Sequence, residues 1–292
     1  MSATIGASVP APARRRWVAA LLRDPLALAG LIGIAVLAVI AILGPAIAPY
    51  PDQGIGVANV PERMQAPSAA HWLGTDQLGR DVLSRIIVGT RSAVGISVGV
   101  VGLAILIGVP LGAIAGYRRG RIDALIMRLT DLTLAFPPLL LAMAIVASLG
   151  PGLDHAALAL AISWWPWYTR LARASAISLR ERPFIEAARS IGLSDTRVLL
   201  GHIIPNSLSP IVVQATIDVG TVILAAGSLA FIGLGARAPQ ADWGLMVAEG
   251  RTVILDQWWI PTFPGLAIFV AVLAFNLAGD ALRDLLDPRS VR

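Results

Sequence analysis

Long apolar runs recur six times along the chain: Leu26 to Ala48, Ala93 to Tyr117, Ala124 to Leu149, Ala156 to Leu171, Leu208 to Leu234 and Leu266 to Ala281. Each is near the ~20 residues that a helix needs to cross the hydrocarbon of a bilayer. The pattern predicts an all-α membrane protein of six transmembrane helices. It divides the chain into a tail (1–25), a first span (26–48), an outer loop (49–92), a core of five spans (93–281) and a second tail (282–292). The core holds an inner loop at 173–205 and an outer loop at 235–265.

One polar stretch breaks the rhythm. "RERPFIEAARSIGLSD", Arg180 to Asp195, lies between the fourth and fifth runs and is written like a surface helix. Pro183 suits a first helical turn, Glu186 places negative charge early, and Gly192 can end the helix in a left-handed cap. Phe184, Ala187, Ala188 and Ile191 follow at i, i+3, i+4 and i+7, which predicts one narrow apolar face. Its two alanines would let a partner's backbone approach, as in a helix laid in a groove. Ser194 is placed to cap a second short helix running from Asp195 towards His202, with Pro205 marking its end.

Composition agrees with a lipid solvent: 56% of the 292 residues are hydrophobic and 14% charged. All 23 basic residues are arginine. Without lysine the chain cannot form a G-x-x-x-x-G-K-[ST] phosphate loop, so ATP, if it drives this protein, binds another subunit. The net charge of +5 reflects orientation rather than nucleic acid. Arg118, Arg119, Arg121, Arg173, Arg180, Arg182, Arg189, Arg197, Arg283, Arg289 and Arg292 fall in segments that would be cytoplasmic, which puts both termini inside. The first run follows Arg14, Arg15, Arg16 and Arg23 like a signal peptide, but at about 23 residues it exceeds a signal core and reads as an uncleaved span.

Catalytic and metal chemistry find no support. There is no cysteine, the three histidines have no ligand-like spacing, and no H-E-x-x-H or G-x-S-x-G occurs. The expectation is a non-enzyme without metal or cofactor. Inside the spans, Asp131 stands one turn from Arg128 and can pair with it. Asp218 is deeper and must face the bundle interior, where it either fastens a neighbouring helix or lines a pathway. Gly95 with Gly99 and Gly108 with Gly112 each form G-x-x-x-G, the spacing of close helix packing. Pro110, Pro137, Pro138 and Pro166 predict kinks, and Trp243, Trp258 and Trp259 read as headgroup-level anchors.

"EAARSIGLSDTRVLLGHIIP" resembles the EAA loop of permease subunits of bacterial ABC importers, through Glu186, Ala187, Ala188, Gly192 and Pro205. "LGTDQLGRDVLSRIIVGTR", "AFPPLLLA", "FIGLGARAPQADWG" and "FPGLAIFVAVLAFNLAGDALRDLLDPR" resemble the C-type permease of the dipeptide, oligopeptide and nickel branch. Ala226 stands where relatives often carry an acidic residue. The resemblance implies a type I importer permease in the bacterial inner membrane, forming half of a translocation pore. It implies a second permease in a heterodimer, two cytoplasmic ATPases docking at Phe184, Glu186, Ala187, Ala188, Ile191, Gly192 and Pro205, and an extracytoplasmic binding protein. Peptide is the first choice of cargo and a nickel chelate the second. The reading from a different class is a secondary transporter acting alone, although no inverted repeat is visible.

Overall fold

The computed structural model describes residues 24–286. The amino-terminal tail, except for its last two residues, and the arginines at 289 and 292 lie outside them. Among the described residues there is no strand, only an isolated antiparallel bridge between Thr75 and Asp81. Nine helices carry the architecture: α1 (Pro25–Ile47), α2 (Val82–Arg118), α3 (Gly120–Leu134), α4 (Pro138–Leu149), α5 (Leu153–Arg180), α6 (Pro183–Ser190), α7 (Leu208–Phe231), α8 (Trp243–Gly250) and α9 (Trp259–Leu286).

Four of these, α1, α2, α7 and α9, are long and apolar enough to cross a membrane, and α3 with α4 makes a fifth if the bent pair is one span. The expected third span is thus broken, with an 83° bend between its halves. The prolines explain the break. Pro138 cannot continue a helix from a preceding α-helical residue, and Pro137 is extended at φ −55°, ψ 129°. The expected fourth span lies within α5, 28 residues long, whose "WWPWYTR" centre dilutes its apolar character. The second and sixth runs are parts of longer helices. α2 begins at Val82 inside the expected outer loop, and α9 runs from Trp259 to Leu286, past both expected ends of its span.

α1 starts where its residues dictate. Asp24 accepts the amides of Leu26 at 2.9 Å and Ala27 at 3.3 Å, and Pro25 fills the first turn. Ile32, Val36, Val39 and Leu43 form an exposed apolar stripe on α1, as suits a helix in an apolar solvent.

The backbones of α2 and α5 meet along one seam. A Cβ on Gly112 would collide with the Thr169 carbonyl oxygen. Cβ atoms on Gly108 and Gly116 would stand 2.5 Å from the carbonyl oxygens of Trp165 and Arg173. The glycine pattern therefore divides by function: Gly108, Gly112 and Gly116 make the close approach, while Gly95, Gly99 and Gly102 face open space in this chain. The seam is driven by packing, since lipid supplies no hydrophobic force between helices.

The two loops expected outside, 49–92 and 235–265, fold onto each other. Arg80, 1% exposed, donates to Asp76 at 2.6 Å and to Glu249 at 3.0 Å. Arg85, fully buried, donates to Asp76 at 3.3 Å and to the Gln240 carbonyl at 3.3 Å. The expectation for the tryptophans is corrected at two positions. Trp243 and Trp259 are buried and donate to the carbonyls of Ile86 and Thr75, so they clasp the loops, and only Trp258 is exposed. Burial pushes the carboxyl of Asp242, the N-cap of α8, above its ordinary value. It pushes Glu249 up as well, against the pull of Arg80.

Candidate functional site

At the opposite end of α2 the chain forms a compact knuckle from α6 to Asn206. α6 begins with Pro183 in its first turn and ends in a Schellman cap. The Leu193 amide donates to the Ala188 carbonyl at 3.2 Å and the Gly192 amide to that of Arg189 at 2.9 Å. Gly192 has φ +85°, the left-handed conformation that its position in the sequence predicts. The return path differs from expectation. Ser194 makes no side-chain cap for Asp195–Val198. The chain then continues through a π-helical turn, Leu199–Ile203, and a short turn, Ile204–Asn206. Pro205 sits in the first turn of that last piece rather than beyond the helix. Leu199 and Ile203, spaced i and i+4, share one face of this segment and both point inward.

The apolar face predicted for α6 is split. Ile185 and Ala188 point inward, into a small second core with Ala113, Tyr117, Ala176, Val198, Leu199 and Ile203. Phe184 and Ile191 point outward, 43% and 80% exposed, and Ala187 and Glu186 are exposed beside them. Four apolar positions in eight residues can be divided between two faces, and periodicity alone does not divide them. Ala188 thus belongs to the seat, with Ile185, and the exposed apolar group is Phe184, Ala187 and Ile191.

Tyr117, in the last turn of α2, pins the knuckle, and no motif in the sequence marks it. Its hydroxyl donates to Asp195 at 2.8 Å and accepts from Arg189 Nε at 3.2 Å. The Arg189 guanidinium lies over the ring at 4.8 Å, a cation–π geometry. Arg180 donates to the Tyr117 carbonyl at 2.8 Å. One residue of the bundle thereby holds α5, α6 and the return segment together.

The two carboxylates expected inside the spans lie elsewhere and are not brought together. Asp131 pairs with Arg170 of α5 at 2.7 Å rather than with Arg128, because α5 presents an arginine across the helix pair. Asp218 is 7% exposed. It accepts the Tyr168 hydroxyl at 2.7 Å and the Gln214 amide at 3.0 Å, so it fastens α7 to α5. An apolar cavity of about 420 Å3 lies among Leu139, Met143, Gly227, Phe231, Gly244 and Ile268. Neither Asp131 nor Asp218 lines it. No group of acidic, histidine or cysteine side chains that could hold a metal occurs among the described residues.

The profile of the family described as "Binding-protein-dependent transport system inner membrane component" matches residues 108–292. The chain belongs to that family. A second profile, "N-terminal TM domain of oligopeptide transport permease C", matches residues 14–67 of this permease. Among curated relatives, a probable D,D-dipeptide transport system permease of Escherichia coli K12 is 45% identical over 91% of this chain and 89% of its own. A dipeptide transport system permease of Alkalihalophilus pseudofirmus is 46% identical over 91% and 87%. The nickel transport system permease of Escherichia coli K12 is 42% identical over 89% and 93%. An inward-facing structure of the MetNI methionine ABC transporter aligns with a TM-score of 0.57 at 17% identity. It covers 69% of this chain and 96% of its own, a likeness of fold. As a permease of this family the protein is a multi-pass membrane subunit and not itself an enzyme, ATPase activity residing in a separate subunit.

Proposed function

We propose that this chain forms half of the translocation pore of an ATP-driven importer in the bacterial inner membrane. It would cross the membrane six times, α3–α4 and α5 included, with both termini in the cytoplasm. A second permease completes the pore, two ATPases bind below and an extracytoplasmic binding protein delivers cargo from above. The observation that carries the reading is the exposed trio Phe184, Ala187 and Ile191 on a knuckle that Tyr117 pins to the bundle. Such a face is suited to a groove on another protein, and its mounting passes force into α2 and α5 instead of dissipating it in a loop.

Within the knuckle, Phe184, Ala187 and Ile191 are the contact, Glu186 its charged edge and Ala188 its seat. Gly192 aims the turn, and Pro205 begins the return to α7. Short peptides are the cargo favoured by the two relatives named for dipeptides, and a nickel chelate is the second reading, favoured by the relative named for nickel. Asp218 acts as an interhelical fastener.

The test is co-purification of the assembled transporter carrying F184D/I191D. Loss of the ATPase subunits, with the two permeases still paired in the membrane, is the expected result. Undiminished ATPase recovery would overturn the docking role. Uptake of labelled dipeptide into proteoliposomes by this chain alone, without ATPase, would instead support a stand-alone transporter.

A further inference from the structure

Beside the knuckle an open cavity of about 610 Å3 is walled by Arg118, Arg119, Arg121, Arg180 and Arg189, with Asp195 the only carboxylate in its wall. Tyr117 holds two of these arginines, Arg180 through its carbonyl and Arg189 through its hydroxyl. Arg119 reaches Glu181 at the rim, at 3.3 Å. The side chains of Arg118 and Arg121 have no ion-pair or hydrogen-bond partner among the described residues. Guanidinium groups collected around one cavity repel each other, and the chain collects them through a backbone that disfavours it. Arg119 has φ +55° and Gly120 φ +65°, so a residue with a Cβ occupies the left-handed region where α2 turns into α3. The arrangement is suited to a multiply accepting anion, for which the guanidinium fork is the matching donor.

The cavity continues into an apolar track. Ile122, which lines it, begins a stripe on α3 with Leu125, Leu129 and Leu132 at i, i+3, i+7 and i+10. All four are exposed, by 39% to 64%. The other side of α3 is fixed to α5 by Asp123, which accepts from Arg173 at 2.6 and 2.8 Å, and by the pair Asp131–Arg170. The stripe is therefore held facing away from the bundle. A basic pocket at the water boundary that opens onto an apolar stripe matches an amphiphile: a phosphate for the arginines and a hydrocarbon chain for the leucines. A soluble phosphate would use only the first half of it.

We propose that this cavity and stripe bind one anionic glycerophospholipid, its phosphate among Arg118, Arg119 and Arg121 and an acyl chain along Ile122, Leu125, Leu129 and Leu132. The bound headgroup neutralises the arginines next to the knuckle and splints the strained turn at Arg119 that connects α2 to α3.

Native mass spectrometry of the chain, released from nanodiscs of phosphatidylcholine and phosphatidylglycerol in equal parts, tests this. One phosphatidylglycerol is expected to be retained in preference to phosphatidylcholine. R118Q/R121Q is expected to weaken that retention roughly thirtyfold, equivalent to about 1 kcal/mol for each arginine lost. R118K/R121K restores most of it, and R91Q, a charge removed at the far end of α2, leaves it unchanged. L125S/L129S weakens retention of the lipid without altering binding of glycerol 3-phosphate. Equal retention of the two lipids, or undiminished phosphatidylglycerol on R118Q/R121Q, overturns the proposal. Displacement of the lipid by glycerol 3-phosphate at comparable concentration overturns it in favour of a soluble phosphate. Loss of ATPase recovery from R118Q/R121Q with lipid retention intact assigns the cavity to the partner protein, and overturns it too.

Discussion

The Tyr117 hydroxyl donates to Asp195 at 2.8 Å across 78 residues of sequence, tying the last turn of α2 to the return arm of the knuckle. A net hydrogen bond of this kind contributes about 1 kcal/mol, and more where a charged partner is involved. Y117F keeps the ring under Arg189 and removes the hydroxyl. Hydrogen exchange of the amides across 183–206 is expected to quicken about tenfold, with exchange in α1 and α9 unchanged. Uptake by the assembled transporter should fall further than its ATPase rate. Exchange equal to wild type would show that the bond carries no load.

Gly192 gives a graded test, because its φ of +85° is demanding while a Cβ there would meet no atom within 4 Å. The penalty is backbone strain alone, about 1–2 kcal/mol for an ordinary residue and less for asparagine. Coupled uptake should decline in the order Gly, Asn, Ala, Val. Equal uptake by G192N and G192V would be incompatible with a turn that aims the contact face.

The α2–α5 seam predicts a contrast along a single helix. G112L forces a side chain into the Thr169 backbone and should prevent a folded chain from accumulating, whereas G99L meets open space and should leave the melting temperature of the isolated chain within a degree or two. Matched losses at the two sites would mean that the seam is misplaced.

In the outer loop, burial raises the Asp242 carboxyl above its ordinary value. The folded state therefore holds that proton more tightly than the unfolded chain. The cost of the buried carboxylate is present above the raised value and is relieved as pH falls through it. D242N retains a capping oxygen for the Leu245 amide, which Asp242 now accepts at 2.9 Å, without the charge. The mutant should melt a few degrees higher at pH 7, followed by tryptophan fluorescence from Trp243 and Trp259. The advantage should shrink as pH falls through the raised value, because wild-type Asp242 then takes up its proton and loses the cost of the buried charge.

Asp218 separates fastening from a pathway role. D218N can still accept from Tyr168 and should keep most uptake, while D218V strands the Tyr168 hydroxyl in the bundle and should destabilise by about 1–3 kcal/mol. Abolished uptake in a normally stable D218N would give the carboxylate a direct part in transport.

What could be read from the sequence follows the range of the interactions involved. The Gly192 cap and the burial of Asp218 depend on a residue and its near neighbours and are legible, whereas Pro137 and Pro138 predict a kink in one span and the chain instead breaks there, with an 83° bend. Tyr117 is not legible, since its partners lie 63 to 78 residues away and tyrosine at a span end is ordinary. The Arg128–Asp131 pair was the local choice, and Arg170 displaced it from a helix that sequence spacing cannot place. The same holds for Ile185. It stands outside the apolar spacing of Phe184, Ala187, Ala188 and Ile191 and yet anchors α6, because a core from three other segments lies beneath it. The glycine run marked α2 as a close-packing helix, but which half of the run would meet α5 depended on where the two helices cross.

α2 carries Arg85, in the outer charged cluster, near one end and Tyr117 at the other, 37 residues in one helix. At 1.5 Å per residue it is a shaft of roughly 55 Å, far longer than the hydrocarbon is thick. A tilt of about 10° about its middle would sweep each end through roughly 5 Å, in opposite directions. Under the proposed function the membrane would supply the fulcrum, and a small stroke delivered at one end of the shaft would reappear, reversed, at the other.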